Sequence, residues 1–312
     1  MSDLSTSTAS TLSAVDLSKL AFPSELIARD YESVLAEMMA DANAYYQAKT
    51  GQKLIVHEAD PAYVVMEACA YRRHKDLLDY QSQIKNMLVA YASGVWLDHL
   101  GANPDFKCPR LVIIPADEST TPPIKAVMES DDAYRARLVL TNEGYTTAGS
   151  SGAYLFHALS ASGDVRDASV QSPNPGEVLV TILSASNNGV ASATLIGEVQ
   201  AALSADTVRP LCDVVRVQPA SISNYSVNLR IITYPSVDIA DVLTRANSAV
   251  AAYTSAHYRL GHDITLAGLI AAAGVSGVQN VQILAPTADL ISDLSSTRRC
   301  VSVNVSHAGV AL

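Results

Sequence analysis

The spacing of apolar and polar positions changes twice along the chain. Ile27, Tyr31, Val34, Met38, Ala42 and Tyr45 recur at intervals of three and four, and Leu35, Met39 and Tyr46 widen the stripe. That period predicts an amphipathic helix over 24–47, opened by Ser24 as its cap after Pro23. Asp60-Pro61 is a helix start, with aspartate at the cap and proline at the first helical position. No breaker follows until Gly94, so a second helix of about 30 residues and about 45 Å is expected to run to Ala92. Val64, Ala68, Tyr71 and Leu78 mark one apolar face on it, continued with a drift by Leu77, Ile84, Leu88 and Tyr91. The two helices form either a local hairpin or part of a bundle completed by other chains. The rest of the sequence offers no helices to cover both, which favours the bundle.

Residues 95–130 are rich in turn formers: Gly101, Asn103-Pro104, Pro109, Pro115 and Pro122-Pro123. They read as a linker with one strand at Leu111–Ile114, followed by a short helix from Asp131 to Leu140. Beyond Thr146 the pattern becomes mixed. A helix at 153–160 precedes strands at 165–171 and 177–183, a helix at 194–203 and a strand at 213–218. Val178, Val180 and Ile182 alternate on one face of the second strand. A further set has a strand at 226–234, helices at 239–257 and 265–273, and strands at 278–284 and 300–305. The stretch Tyr154–Pro173 reads against Leu266–Pro286 either as a faint repeat or as a coincidence between two common α/β units.

These elements predict an α+β protein in which a long-helix region precedes two small α/β domains, each an open sheet with helices. The expected boundaries are a flexible or partner-ordered tail over 1–23, a bundle-forming helical region over 24–100 and a linker over 101–145. The α/β domains follow at 146–220 and 221–312.

Composition adds one fact to this picture. Charged residues are 17% of the 312, against about 25% in ordinary soluble domains, while apolar residues are 49%. A lone globule of this size needs more charged surface, so either a membrane or other chains cover part of it. The charge-free run Ile264–Ala288 has an apolar part of about ten residues, too short to span a bilayer, which leaves partner chains. The net charge of −10 excludes nonspecific nucleic-acid binding. The N-terminus carries no Lys or Arg before Lys19 and no apolar core, so it is not expected to be a secretory signal.

Chemistry is sparse. The seven histidines stand in no metal-ligand spacing, and Cys69, Cys108, Cys212 and Cys300 form no CxxC pair. Gly149-Ser150-Ser151-Gly152 lacks the spacing of a nucleophile elbow and reads as a loop with a cap serine. There is no phosphate-cradling glycine motif. The acidic pairs Glu58/Asp60, Asp117-Glu118 and Asp131-Asp132 lie at helix starts or in loops, where they stay solvated or favour the helix dipole. No catalytic residue, cofactor or metal is expected. Aromatic usage is lopsided, with 14 Tyr against 3 Phe and 1 Trp. Tyrosine suits surfaces where a ring packs while its hydroxyl stays wet. Tyr31, Tyr45, Tyr71 and Tyr91 on the two helices, with Leu78, are therefore candidate interaction residues.

Several stretches, in order, resemble the baseplate J family of contractile phage tails and tail-like bacteriocins. They are Asp60-Pro61-Ala62-Tyr63-Val64-Val65-Met66-Glu67 with Ala70-Tyr71-Arg72-Arg73, and the run from Leu88 through Ala92-Ser93-Gly94-Val95-Trp96-Leu97 to Gly101. Thr147–Tyr154, His157–Ser160, Val165-Arg166-Asp167, Val208-Arg209-Pro210-Leu211 and Tyr258-Arg259-Leu260-Gly261 follow. Ser93 and Val95-Trp96 depart from the family's usual residues, and Trp96 and Leu97 join the candidate interaction residues. The resemblance implies a non-enzymatic wedge subunit of the virion tail baseplate, assembled in the host bacterial cytoplasm. It implies contacts with a second copy of itself, a tail protein I-type wedge partner, a sheath-initiator protein and the central hub or spike. It also implies that residues 221–312 dimerise. The alternative class is a tail-associated cell-wall hydrolase.

Overall fold

The computed structural model describes residues 17, 20–22, 29–119, 121–146 and 148–311. The expected tail over 1–23 falls largely outside them, and Ser24 and Ile27 fall wholly outside. The chain divides into two compact units, Val15–Pro109 and one that includes Arg110–Leu312.

In the first unit, α1 spans Tyr31–Thr50. Asp30 caps it, accepting from the Ser33 N–H at 2.6 Å, so the described helix starts several residues after the expected Ser24. Gly51 closes it in the left-handed region at φ 72°, donating to the Gln47 carbonyl at 2.8 Å. α2 spans Pro61–Asn86, 26 residues or about 39 Å. Asp60 holds the extended cap conformation, but its carboxylate accepts from His57 N–H at 2.8 Å rather than capping the helix. The helix stops six residues short of the expected end at Ala92. Met87 and Leu88 fold back onto Ile84 and Lys85 in tight turns that no proline or glycine announces. Gly94 takes φ 54° but opens α3, Val95–Gly101, instead of closing α2.

α1 packs along one side of α2 through buried Val34, Leu35 and Ala70, with Tyr31, Met38, Met39 and Leu77 around them. The expected apolar face of α2 lies elsewhere: Val64, Tyr71 and Leu78 are exposed. Ala70 explains the choice, since its small side chain lets the two backbones approach.

The second unit begins in the expected linker, which holds more structure than its turn formers announce. β1 (Val112–Ile114) pairs antiparallel with β2 (Val127–Met128), a strand the sequence reading lacks. α4 (Asp131–Val139) is capped by Ser130. Its Arg137 makes a buried ion pair with Glu129 at 2.7 Å, their side chains 3% and 9% exposed. Arg110 joins the cluster by donating to the Glu129 carbonyl at 2.6 Å and to Asp131 at 2.7 Å. The fully buried Tyr134 ring lies beside both guanidiniums, at 4.7 Å from Arg110 and 5.4 Å from Arg137.

The first α/β domain comprises α5 (Ser151–Ala161), β3 (Val165–Gln171), β4 (Glu177–Ser184), α6 (Ala193–Leu203) and β5 (Val214–Pro219). Ser150 and Ser192 cap the two helices. The sheet runs β3-β4-β5, with β3 antiparallel and β5 parallel to the central strand. Val178, Val180 and Ile182 face α5 and α6 as their alternation predicts, packing with Ala158, Leu195 and Val199.

The second domain comprises β6 (Ser221–Thr233), α7 (Ile239–Ala256), α8 (Leu266–Ala273), β7 (Val278–Ala285) and β8 (Ser296–Val310). Its strands are longer than the sequence pattern indicates, above all β8. The order is β7-β6-β8, again with one antiparallel and one parallel edge. Val227, Leu229 and Ile231 meet Val242, Ala246 and Val250 of α7. The two sheets share strand order and direction, and α5-β3 and α8-β7 each supply a helix followed by the antiparallel edge. These are the two stretches of the faint repeat. In the second domain that unit enters after the crossover helix instead of before the central strand.

Glu129→Ala leaves the buried Arg137 guanidinium without its carboxylate. It is expected to cost about 3–5 kcal/mol, against a smaller loss for the paired replacement Glu129→Gln with Arg137→Met. Denaturant titration of the three proteins checks this.

Candidate functional site

Two sets of residues stand out: exposed apolar positions on the helical unit, and a polar junction between the two α/β domains. The first set contains most of the expected interaction residues. Tyr45, Tyr71, Leu78 and Trp96 are 66%, 65%, 50% and 54% exposed. Exposed Ile55, Val65, Met87 and Val95 join them, none of which the helical stripes single out. The other three expected residues are engaged within the chain. Tyr31 donates to the Glu67 carbonyl at 3.5 Å and its ring meets His74 edge-on. Tyr91 donates to the Leu20 carbonyl and packs edge-on against Phe22 at 5.6 Å. Leu97 is fully buried.

The junction is built from the helix-free face of the first sheet. Asp167 on β3 accepts from Leu260 N–H at 2.8 Å. Its neighbour Arg166 donates to the Tyr258 carbonyl at 3.3 Å and lies over the Tyr258 ring at 4.8 Å. Ser169 donates to the Leu294 carbonyl. Tyr258 donates to the Asn188 carbonyl at 2.9 Å. Leu183, Ala220 and Leu260 are buried together, with Ile222 and Tyr258 packed on them. Val165-Arg166-Asp167 and Tyr258-Arg259-Leu260-Gly261, two fragments 93 positions apart, are thus two halves of one contact.

A similar convergence lies within the first domain. Tyr154 donates to Asp213 at 2.8 Å, and Arg209 donates to the Asp213 carbonyl at 3.0 Å. A Cβ on Gly149 would come within 2.8 Å of the Asp213 carboxylate and of Pro210. The glycine is needed for that approach, and its φ of 75° needs it too.

Electrostatics at the junction follow from burial. Burial raises the Asp167 pKa, opposed by the Leu260 N–H and the Arg259 charge. Burial and Arg259 lower that of His262, with His257 adding to the effect and Asp167 and Asp263 opposing it. The His257 and His262 rings meet edge-on at 5.9 Å, closer than their sequence spacing indicates. Burial also lowers His157, against a Gly144 backbone hydrogen bond that raises it. Among the described residues no group of His, Cys, Asp and Glu is placed to hold a metal ion. None of their helices is long and apolar enough to cross a membrane. Four carboxylates of the acidic pairs serve local structure: Asp60 holds His57, Asp117 holds Ser119, Asp131 holds Arg110 and Asp132 holds Arg135.

Three family models match in chain order. The Baseplate J-like N-terminal domain matches residues 58–117, the Baseplate J-like central domain 146–219 and the Baseplate J-like protein C-terminal domain 225–306. The chain is 39% identical over 298 residues to "Baseplate protein J" of Escherichia phage P2, which covers 95% of this chain and 98% of the phage protein.

Two outcomes test the packing of the α/β domains. Gly189 sits at φ 97°, and a Cβ there would lie 2.0 Å from the Tyr258 hydroxyl oxygen, whereas one on Gly197 in α6 meets nothing within 4 Å. Gly189→Ala is therefore expected to lower the thermal midpoint, and Gly197→Ala to raise stability by about 0.5–1 kcal/mol. The histidines set a pH dependence. With folded pKa values below the ordinary 6.5, His157 and His262 favour the neutral form on folding. Their contribution is full above pH 6.5 and is lost as pH falls through the lowered values. Asp167, raised from 3.8, acts in the opposite sense, its contribution present at low pH and lost as pH rises through its raised value. The thermal midpoint should fall below pH 6.5, and His157→Gln with His262→Gln should flatten that fall.

Proposed function

The chain belongs to the baseplate J-like family, and from that premise we propose that it is a structural wedge subunit of a phage tail baseplate. It has no enzymatic role in this reading. The observation that carries the wedge role is the run of large apolar side chains left in water on α2 and α3, in a chain of only 17% charged residues. Such a surface is stable in solution when other chains cover it.

In this reading the helical unit bundles with helices of a second copy and of a tail protein I-type wedge partner. The sheath-initiator protein docks on that bundle, and the assembled wedges surround the central hub and spike. Residues 221–312 supply the contact between the two copies. The particle is assembled in the host bacterial cytoplasm, and the wedge passes the contraction trigger from the periphery to the sheath. A trigger of this kind requires contacts with two packings close in energy. The helical bundle and the contact between copies are the places where those packings differ.

Co-expression with the I-type partner from the same tail gene cluster tests the bundle. The two proteins are expected to elute together in size exclusion. Tyr71→Glu with Leu78→Glu should abolish co-elution, and should shift folding stability by no more than about 0.5 kcal/mol because both side chains are exposed. A chain that ignores the partner, or a double variant that still binds it, contradicts the reading.

A further inference from the structure

β8 is an edge strand of 15 residues, Ser296–Val310, against about five or six in an ordinary strand. One of its sides pairs with β6 along the whole length. On the other side its first residue is bonded, since Gly261 N–H donates to the Ser296 carbonyl at 3.2 Å, and close by the Arg298 guanidinium donates to the Ile291 carbonyl. From Cys300 to Val310 the outer edge has no backbone partner among the described residues. That edge is about 36 Å long.

An open edge of this length is a site for strand addition unless it is blunted by charge or proline. The edges of the first sheet are blunted: β3 carries Arg166 and Asp167, and β5 carries Arg216 and Pro219. The stretch Cys300–Val310 contains no Lys, Arg, Asp, Glu or Pro. It has a symmetry of its own as well. Ser302-Val303-Asn304-Val305-Ser306 reads the same in both directions, centred on Asn304. The register with β6 slips at Val301 and again at Ala308, so the palindrome is the regular segment between two bulges.

We propose that β8 pairs antiparallel with β8 of a second copy about a two-fold axis at Asn304, joining the two three-stranded sheets into one of six strands. A two-fold contact must be self-complementary, with residue i facing j and j facing i. The palindrome meets that requirement. Val303 lies opposite Val305 of the other copy, on the face where Val305 is buried against α7. Ser302 lies opposite Ser306 on the helix-free face, and Asn304 meets its own copy while donating to Asn228 at 2.9 Å. No like charges are brought together. The pairing deepens the proposed function and rests on its reading that a second copy is a partner.

Cysteine cross-linking of the full-length chain tests the register, in a background with Cys69, Cys212 and Cys300 replaced by Ser. Residues directly opposite in an antiparallel pair have Cα atoms about 4.5–5.5 Å apart, within disulfide range. Asn304→Cys is therefore expected to give the disulfide dimer as the main product of mild oxidation. Ser302→Cys alone should give none above background, since its own copy lies four residues away, about 13 Å. Ser302→Cys with Ser306→Cys should cross-link again. Sedimentation of the unoxidised protein separates the two levels of failure. A dimer in which Asn304→Cys cross-links no better than Ser302→Cys overturns the β8 pairing and leaves the second-copy reading standing. A dimer trapped instead by Gln282→Cys assigns the contact to β7 and also overturns it. A chain that stays monomeric at all concentrations overturns both.

Discussion

A helix supported along one side by a single neighbour keeps most of its circumference in water. α2 is in that position for 26 residues, and its wet side carries Val64, Val65, Tyr71 and Leu78. The side toward α1 holds one fully buried residue, Ala70. Isolated helices of modest length are marginal, and most helical stability in proteins comes from packing of the apolar face. The helical unit thus holds α2 against α1 along one side, while much of its apolar area stays exposed to water.

The unit that includes Arg110–Leu312 is organised differently. Its two sheets each bury one face under their own helices. The helix-free face of the first is covered by turns of the second domain, so β4 has buried residues on both sides: Val180 and Ile182 toward the helices, Thr181 and Leu183 toward the junction. The junction relies on side chains that satisfy backbone groups far away in sequence, such as Asp167 for Leu260 and Tyr258 for Asn188. A buried N–H or carbonyl without such a partner costs about 1–3 kcal/mol, so these residues are needed for their hydrogen-bonding geometry rather than for chemistry. Arg110, Glu129 and Arg137 play the same part at the start of the unit.

Much of this was legible in the sequence, and the parts that were not have physical reasons. β3 and β4 begin at the expected residues because alternating Val and Ile positions bounded by Pro173, Pro175 and Gly176 leave little freedom. β2 is two residues long and α3 seven, too short for a period to register amid prolines and glycines. The end of α2 was missed because tight turns close it without a breaker residue. Among the candidate interaction residues, the helical stripe located Tyr71 and Leu78 on an exposed face. Periodicity could not tell that face from the one α1 covers, since that choice falls to the small Ala70 beside the polar Glu67 and His74. Leu97 and Trp96 are adjacent in sequence, yet one is buried and the other exposed. The resemblance marked both without distinguishing fold from surface.

Amide hydrogen exchange measured on the purified chain and on the chain within assembled baseplates tests the central claim most directly. In the isolated chain, the amides of Pro61–Asn86 should exchange far faster than those of β4 and β6, and in the baseplate they should become protected to a similar degree. Full protection of that helix in the isolated chain, unchanged on assembly, would contradict the account.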